Sequence, residues 1–270
     1  MTVQTSYPFD RAVGYPGQAA DAGPHRRKTV LAAVALTAGF LVMRGATPVK
    51  GYALSAPAAA DADADGIVAA LATAATAQSL TGVSLDGAVG AAEMFPARNI
   101  TITASSHADY NLTTAYVRGL DENGLPQEEA FVIPDAGNVT LTGNKFFSYV
   151  TEVYIPAQGG TGGSTTVGFG SKLGPLTKAD VHGIAEYNAS REPEAYPIGY
   201  AVPVIEEGPV YVTSETSYVD GDPVYVRLVV SGDEVLGAFR ATPDSNDCAL
   251  LAGARFRRSG SAGVACIDLS

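Results

Sequence analysis

The sequence predicts an all-β protein, and three observations carry that prediction. Thirty glycines and 16 prolines stand among 270 residues of which only 17% are charged and 46% are hydrophobic. Many turns and few charges fit short strands better than long helices. Next, the stretch 196–230 repeats one phrase, Gly208-Pro209-Val210-Tyr211-Val212 and Gly221-Asp222-Pro223-Val224-Tyr225-Val226-Arg227. Val alternating with Tyr fits a pleated, half-buried surface, and Pro at the first residue of a strand loses no ladder bond. Each phrase therefore predicts a strand start, the two joined through residues 213–220. Third, short alternating runs recur between residues 80 and 170 with turn residues between them, the spacing of a β-sandwich.

Residues 1–24 contain Tyr7-Pro8 and Tyr15-Pro16-Gly17 but no sustained apolar period. X-Pro pairs hold the preceding residue extended. The stretch reads as an arm without a core of its own. Tyr7, Phe9 and Tyr15 favour an extended strap docked on a neighbour over a disordered tail. Residues 26–43 set a basic cluster before an apolar run, as an export signal does. A polar stretch ahead of the arginines, Thr37 and Gly39 inside the run, and the lack of a clean small-x-small site after it favour strands at 30–36 and 40–43 around a hairpin at 37–39. The run is too short to span a bilayer.

Residues 56–65 read as an acidic linker. Asp61, Asp63 and Asp65 match the opening of a calcium loop, but the twelfth position, where a bidentate Glu belongs, is Ala72. The linker is the stronger reading. Residues 66–77 are Ala-rich and admit a short helix. Strands are expected at 80–85, 91–95 and 99–104. Those at 114–119 and 128–133 pair across 121–124, where Asn123-Gly124 is a strong hairpin signal. Strands at 138–142, 146–155 and 165–169 complete the middle, with the glycine-rich run 159–163 as a loop tip. The last strands are expected at 180–185, 235–241, 250–256 and 264–269.

Chemistry is sparse. Seventeen basic residues against 28 acidic ones leave a net charge of −11, which repels phosphate backbones and disfavours nucleic-acid binding. Cys248 and Cys266 are too few for a disulfide scaffold and read as buried thiols, with a bridge between them a matter of geometry. His25, His107 and His182 have no metal-ligand neighbour at helical spacing; Asp180 and His182 share a strand face. Glu206 and Glu207 point to opposite faces. No nucleophile elbow, phosphate loop or zinc-spaced cysteine pair occurs.

The flanks carry a resemblance. Val3-Gln4-Thr5-Ser6-Tyr7-Pro8, Tyr15-Pro16-Gly17-Gln18, Gly183-Ile184-Ala185, the Gly208 and Gly221 phrases, Ala252-Gly253-Ala254-Arg255-Phe256 and Ser261-Ala262-Gly263-Val264-Ala265 occur in that order. Over residues 1–54 and 180–270 they resemble structural cement, or capsid decoration, proteins of tailed bacteriophages. The middle, with its 96–106, 116–124 and 167–176 segments, is similar to β-sandwich (Ig-like) insertions in phage virion proteins; typical short cement proteins lack it. The resemblance implies a small β-barrel-like body built from both chain ends: an arm at 1–24, the body at 25–58 and 179–270, and the inserted sandwich at 59–178. It implies a virion protein made in the host cytoplasm and seated on the outer capsid surface. Its partners would be the major capsid protein and itself, a homotrimer ahead of a dimer, with no membrane, cofactor or catalysis. The expected contact residues are Tyr7, Pro8, Phe9, Tyr15 and Pro16 of the arm, and Arg255, Arg257 and Arg258, which read equally as a solvated turn. The alternative is an exported or tail-associated adhesin, a carbohydrate-binding module that reads through the sandwich.

Overall fold

The computed structural model describes residues 14–20, 25–44, 50–53, 62–105, 113–134, 138–160, 162–188, 195–230 and 232–270. The protein is all-β. Its strands are β1 (Arg26–Ala32), β2 (Leu36–Thr37), β3 (Leu41–Arg44), β4 (Lys50–Ala53), β5 (Asp63–Ala72), β6 (Gln78–Thr81), β7 (Arg98–Ser105), β8 (Thr114–Leu120), β9 (Pro126–Val132), β10 (Val139–Phe147), β11 (Tyr149–Ile155), β12 (Ser164–Leu173), β13 (Val181–Ala185), β14 (Ala195–Tyr196), β15 (Ala201–Ser214), β16 (Pro223–Arg227), β17 (Phe239–Arg240), β18 (Cys248–Arg257) and β19 (Gly263–Leu269).

The long strand β15, 14 residues, organises the body. Its first half pairs with β1, from Ala201 opposite Leu31 to Glu207 opposite Arg26, and with β13; β4 and β3 complete a ring of five strands back onto it. Its second half pairs with β19, from Gly208 opposite Leu269 to Ser214 opposite Gly263. Strands β17, β16 and β18 close a second ring of five. Closure removes open sheet edges. Strands from the first 53 residues thus pair with strands after residue 180, so both chain ends build the body.

The cores follow from the alternation. Val30, Leu36, Val42, Val202 and Val204 fill the first ring. Val210, Val212, Val224, Val226, Phe256 and Ile267 fill the second, and Leu41, Ile184 and Ile205 extend that core across the join. Gly183 takes φ +131°, and a Cβ there would stand 2.1 Å from the Ile205 carbonyl oxygen. Only glycine lets β13 approach β15 so closely.

Residues 63–173 form two four-stranded sheets, β10-β7-β12-β5 and β6-β11-β8-β9. Ile67, Ile100, Ile102, Val117, Phe131, Phe147, Val153 and Val167 pack between them. Asn99 is buried in β7 because its amide is satisfied: Nδ2 donates to the Gly143 carbonyl and Oδ1 accepts from the Lys172 amide.

Several sequence expectations give way. The Ala-rich 66–77 segment is largely strand, within β5; burial of Gly66, Ile67 and Val68 and pairing with Val167 and Thr165 outweigh alanine's helix propensity. Strands β1 and β3 do not form a hairpin; β4 lies between them. The Gly208 phrase starts no strand but continues β15, with Gly208 at φ +105°. Pro209 keeps its place in the ladder through its carbonyl, which accepts from the Ala20 amide. The Gly221 phrase does open β16. Residues 91–95 are turns, the 146–155 run breaks at Ser148, and only Phe239–Arg240 of the expected 235–241 strand is extended.

Candidate functional site

The arm is described from Gly14 to Ala20; Tyr7, Pro8 and Phe9 lie outside the described residues. Its described part lies along β15 of its own chain. Gly17 N–H donates to the Tyr211 carbonyl at 2.7 Å, Tyr211 N–H to the Gln18 carbonyl at 2.9 Å, and Tyr187 N–H to the Gly17 carbonyl at 3.0 Å. Tyr15 stacks on Tyr187 with ring centroids 5.1 Å apart and 12° between planes, yet stays 58% exposed. Pro16 packs against Gly39. The segment thus adds to the sheet by strand addition, within the chain.

The three arginines stand at the end of β18. Alternation puts Arg255 and Arg257 on its solvent face, while Ala254 and Phe256 point inward. Arg257 Nε lies 3.5 Å from Asp268 Oδ2, and the Arg258 amide donates to Asp220 Oδ1 at 2.9 Å. Arg258 takes φ +72° as the chain leaves the strand. Arg257 and Arg258 line a cleft of about 320 Å³ together with Asp220, Cys266, Tyr211 and Ala20. The end of the docked arm and two of the three arginines therefore share one surface; Tyr15 and Pro16 stand further along, beside Tyr187 and Gly39.

Asp63 and Asp65 sit on β5 rather than in a loop, and Asp61 lies outside the described residues. The hydrogen bond from Asp63, followed by its charge, pushes the Asp65 carboxyl up. No group of three metal-ligating side chains gathers among the described residues. His182 is buried; burial, then the charges of Lys28 and Arg44, push its pKa down, while its Nε2 meets the Lys50 carbonyl at 3.1 Å. Cys248 and Cys266 are not bridged; they face Arg227 and Tyr211 on different neighbouring strands.

Two features escape sequence reading. Arg227, fully buried, is held by three carboxylates: Glu215 at 2.9 Å, Glu234 at 2.8 Å and Asp244 at 2.8 Å. Arg240 joins through Asp244 at 2.7 Å. Burial opposes the Arg227 charge most strongly, yet the hydrogen bonds to Asp244 and Glu215 hold its pKa above the ordinary arginine value. The other is apolar. Leu31, Val34, Ile198 and Tyr200 are all exposed and are gathered at one rim of the first ring by the Ala32 N–H to Tyr200 carbonyl bond and the Gly199 N–H to Ala32 carbonyl bond, both 2.8 Å. The exposed Pro197-Ile198-Gly199-Tyr200 turn was the available signal; its partner lay over 160 positions away.

Residues 148–270, a little under half of the chain, match the model of one protein family. That family is described as Structural cement protein (E217 gp24/Pam3 gp6), a structural kind rather than a catalytic one, and the resemblance to cement proteins holds over the matched residues. The match takes in β11 to β19. It leaves out residues 1–54 and takes in the last two strands of the sandwich, inside the expected insertion. No curated protein matches the chain. A solved structure, the capsid of Myoviridae phage XM1, aligns with 100% of this chain and 98% of that chain at 13% identity and a TM-score of 0.45, a likeness too distant to bear on function.

Proposed function

We propose that this protein binds the outer surface of the capsid and stabilises the lattice of the major capsid protein, with no catalytic role. The observation that carries the reading is the family match over residues 148–270, which contains the whole second ring. The physical features agree with it. Two closed rings of five strands share β15. The Leu31, Val34, Ile198 and Tyr200 rim is an apolar cluster of the kind that marks protein contacts. The arm, through Tyr7, Pro8, Phe9, Tyr15 and Pro16, and the cleft bearing Arg257 and Arg258, beside Arg255, are the proposed contacts with capsid and sister subunits. A homotrimer is the proposed assembly, since closed symmetry multiplies weak contacts. The sandwich is proposed to stand off the body as an inserted domain at 59–178.

The test is titration of purified protein onto expanded shells that lack it. Binding should saturate at a lattice-symmetric copy number and raise the shell's melting temperature through linkage. Shells whose melting temperature is unmoved by a saturating excess contradict the proposal. A few copies per particle would instead point to a tail component.

A further inference from the structure

The outer face of the sheet β6-β11-β8-β9 carries an arrangement apart from the contacts proposed above. Register sets side chains in rows. Tyr154 of β11 stands opposite Tyr116 of β8, flanked by Ser79 of β6 and Ala130 of β9. The two rings lie 6.3 Å apart, tilted by 45°. Small residues stand on both sides, and the Arg118 guanidinium carbon lies over the Tyr116 ring, 5.9 Å from its centroid. The neighbouring row is Thr81, Glu152, Arg118 and Glu128. Arg118 Nε donates to Glu128 at 2.6 Å and Nη1 to Glu152 at 2.8 Å; Glu152 also accepts from Ser79 at 2.5 Å. Beyond the two rings on the other side stand Thr114 and Val132, the latter 55% exposed.

This row is held in place but not used up. Ser79 first, then Arg118, holds the Glu152 carboxyl below its ordinary range. Arg118 still has its second terminal nitrogen, Nη2, without a partner among the described residues. The second oxygen of Glu128 and both tyrosine hydroxyls are likewise unengaged by other described residues. Two aromatic rings set at an angle thus border fixed donors and acceptors, the combination that orients a small polar ligand.

We propose that this face binds a neutral saccharide, with a sugar ring packed in the angle between the Tyr154 and Tyr116 rings and its hydroxyls bonded by Arg118 and Glu128. Charge selects the neutral class. One guanidinium between two carboxylates leaves the row with an excess negative charge, on a chain of net charge −11, so phosphate, sulfate and sialic acid are repelled. A peptide strand is disfavoured at this spot because β8 and β11 are interior to the sheet and already paired on both sides. The proposal is independent of capsid binding and is tested without capsids.

The full chain is presented to immobilised neutral gluco-, manno-, galacto- and N-acetylglucosamine oligosaccharides, with sialylated and sulfated ones alongside, and hits are titrated calorimetrically. At least one neutral oligosaccharide should bind. Tyr154→Ala and Tyr116→Ala should each weaken it about tenfold, and the Phe variants much less, because the ring contact survives. Arg118→Gln and Glu128→Gln, on exposed side chains, should weaken it too and guard against a folding artefact in the alanine variants. Four results overturn the proposal: no neutral sugar bound, tighter binding of sulfated or sialylated sugars, affinity unmoved by the variants, or a face that only pairs copies of the chain, seen as self-association lost in Tyr154→Ala without sugar binding.

Discussion

Arg227→Met probes what holds the open end of the second ring. Arg227 is 0% exposed, and its guanidinium reaches Glu215 from the end of β15, Glu234 from the loop before β17 and Asp244 from the turn after it. Its backbone adds bonds to Ala238 and Gly237, both 2.9 Å. Without the side chain, three carboxylates face one another with only Arg240 between Glu215 and Asp244. Removing one partner of a buried ion pair costs about 3–5 kcal/mol, because the remaining charge is left uncompensated. The carboxylates are 18, 30 and 38% exposed, so water screens them and the expected loss lies near the lower end, about 3 kcal/mol. Urea unfolding of the purified variant measures it. Arg227→Lys should fall between, since an ammonium keeps the charge but not the forked geometry. The acid limb supplies an independent check. The hydrogen bond from Arg227, then the Arg240 charge, lowers the Asp244 pKa. A lowered carboxylate stabilises the fold above its unfolded pKa of about 3.9, and that stability is lost as pH falls through the folded value. Arg227→Met should therefore flatten the dependence below about pH 4. A loss under about 1 kcal/mol with an unchanged acid limb would refute the assignment of this cluster as the clamp.

Three further outcomes are expected. Gly183→Ala should prevent the first ring from closing, since its Cβ would meet the Ile205 carbonyl oxygen at 2.1 Å; a melting temperature equal to wild type would contradict this. Gly17→Ala, at φ +85° and with a Cβ 2.6 Å from the Ala185 carbonyl oxygen, should release the arm and leave the rings intact. Hydrogen exchange would then quicken at Tyr187 and Tyr211, whose amides bond the arm, while the Val226 and Ile267 amides stay protected. His182, whose pKa is lowered first by burial and then by Lys28 and Arg44, contributes stability above its unfolded pKa of about 6.5 that is lost as pH falls. The urea midpoint should drop from about pH 7.5 to pH 5.5, and by less in His182→Asn; equal drops in both would contradict the sign.

Most strands were legible because alternation is a local property. β7, the β8–β9 hairpin, β16, β18 and β19 stand close to where Val/Ile/Thr periodicity and Asn123-Gly124 place them. The Ala-rich β5 was not, since alanine carries no strand signal and its partners, Phe169 and Val167, lie a hundred positions on. The arginines were visible as a cluster, but the cleft that Arg257 and Arg258 share with Ala20 and Tyr211 needed the arm's path along β15.

Local order of residues by itself determined that this chain is of the all-β class, poor in catalytic constellations, and similar over residues 1–54 and 180–270 to structural cement proteins. What only the tertiary structure decided is how the strands close. That β15 runs unbroken through Gly208 to serve two rings, that Arg227 finds three carboxylates, and that Tyr116 meets Tyr154 all depend on register between segments far apart in the chain. Register is set by which faces bury together, a property of pairs of strands that no single strand's sequence contains.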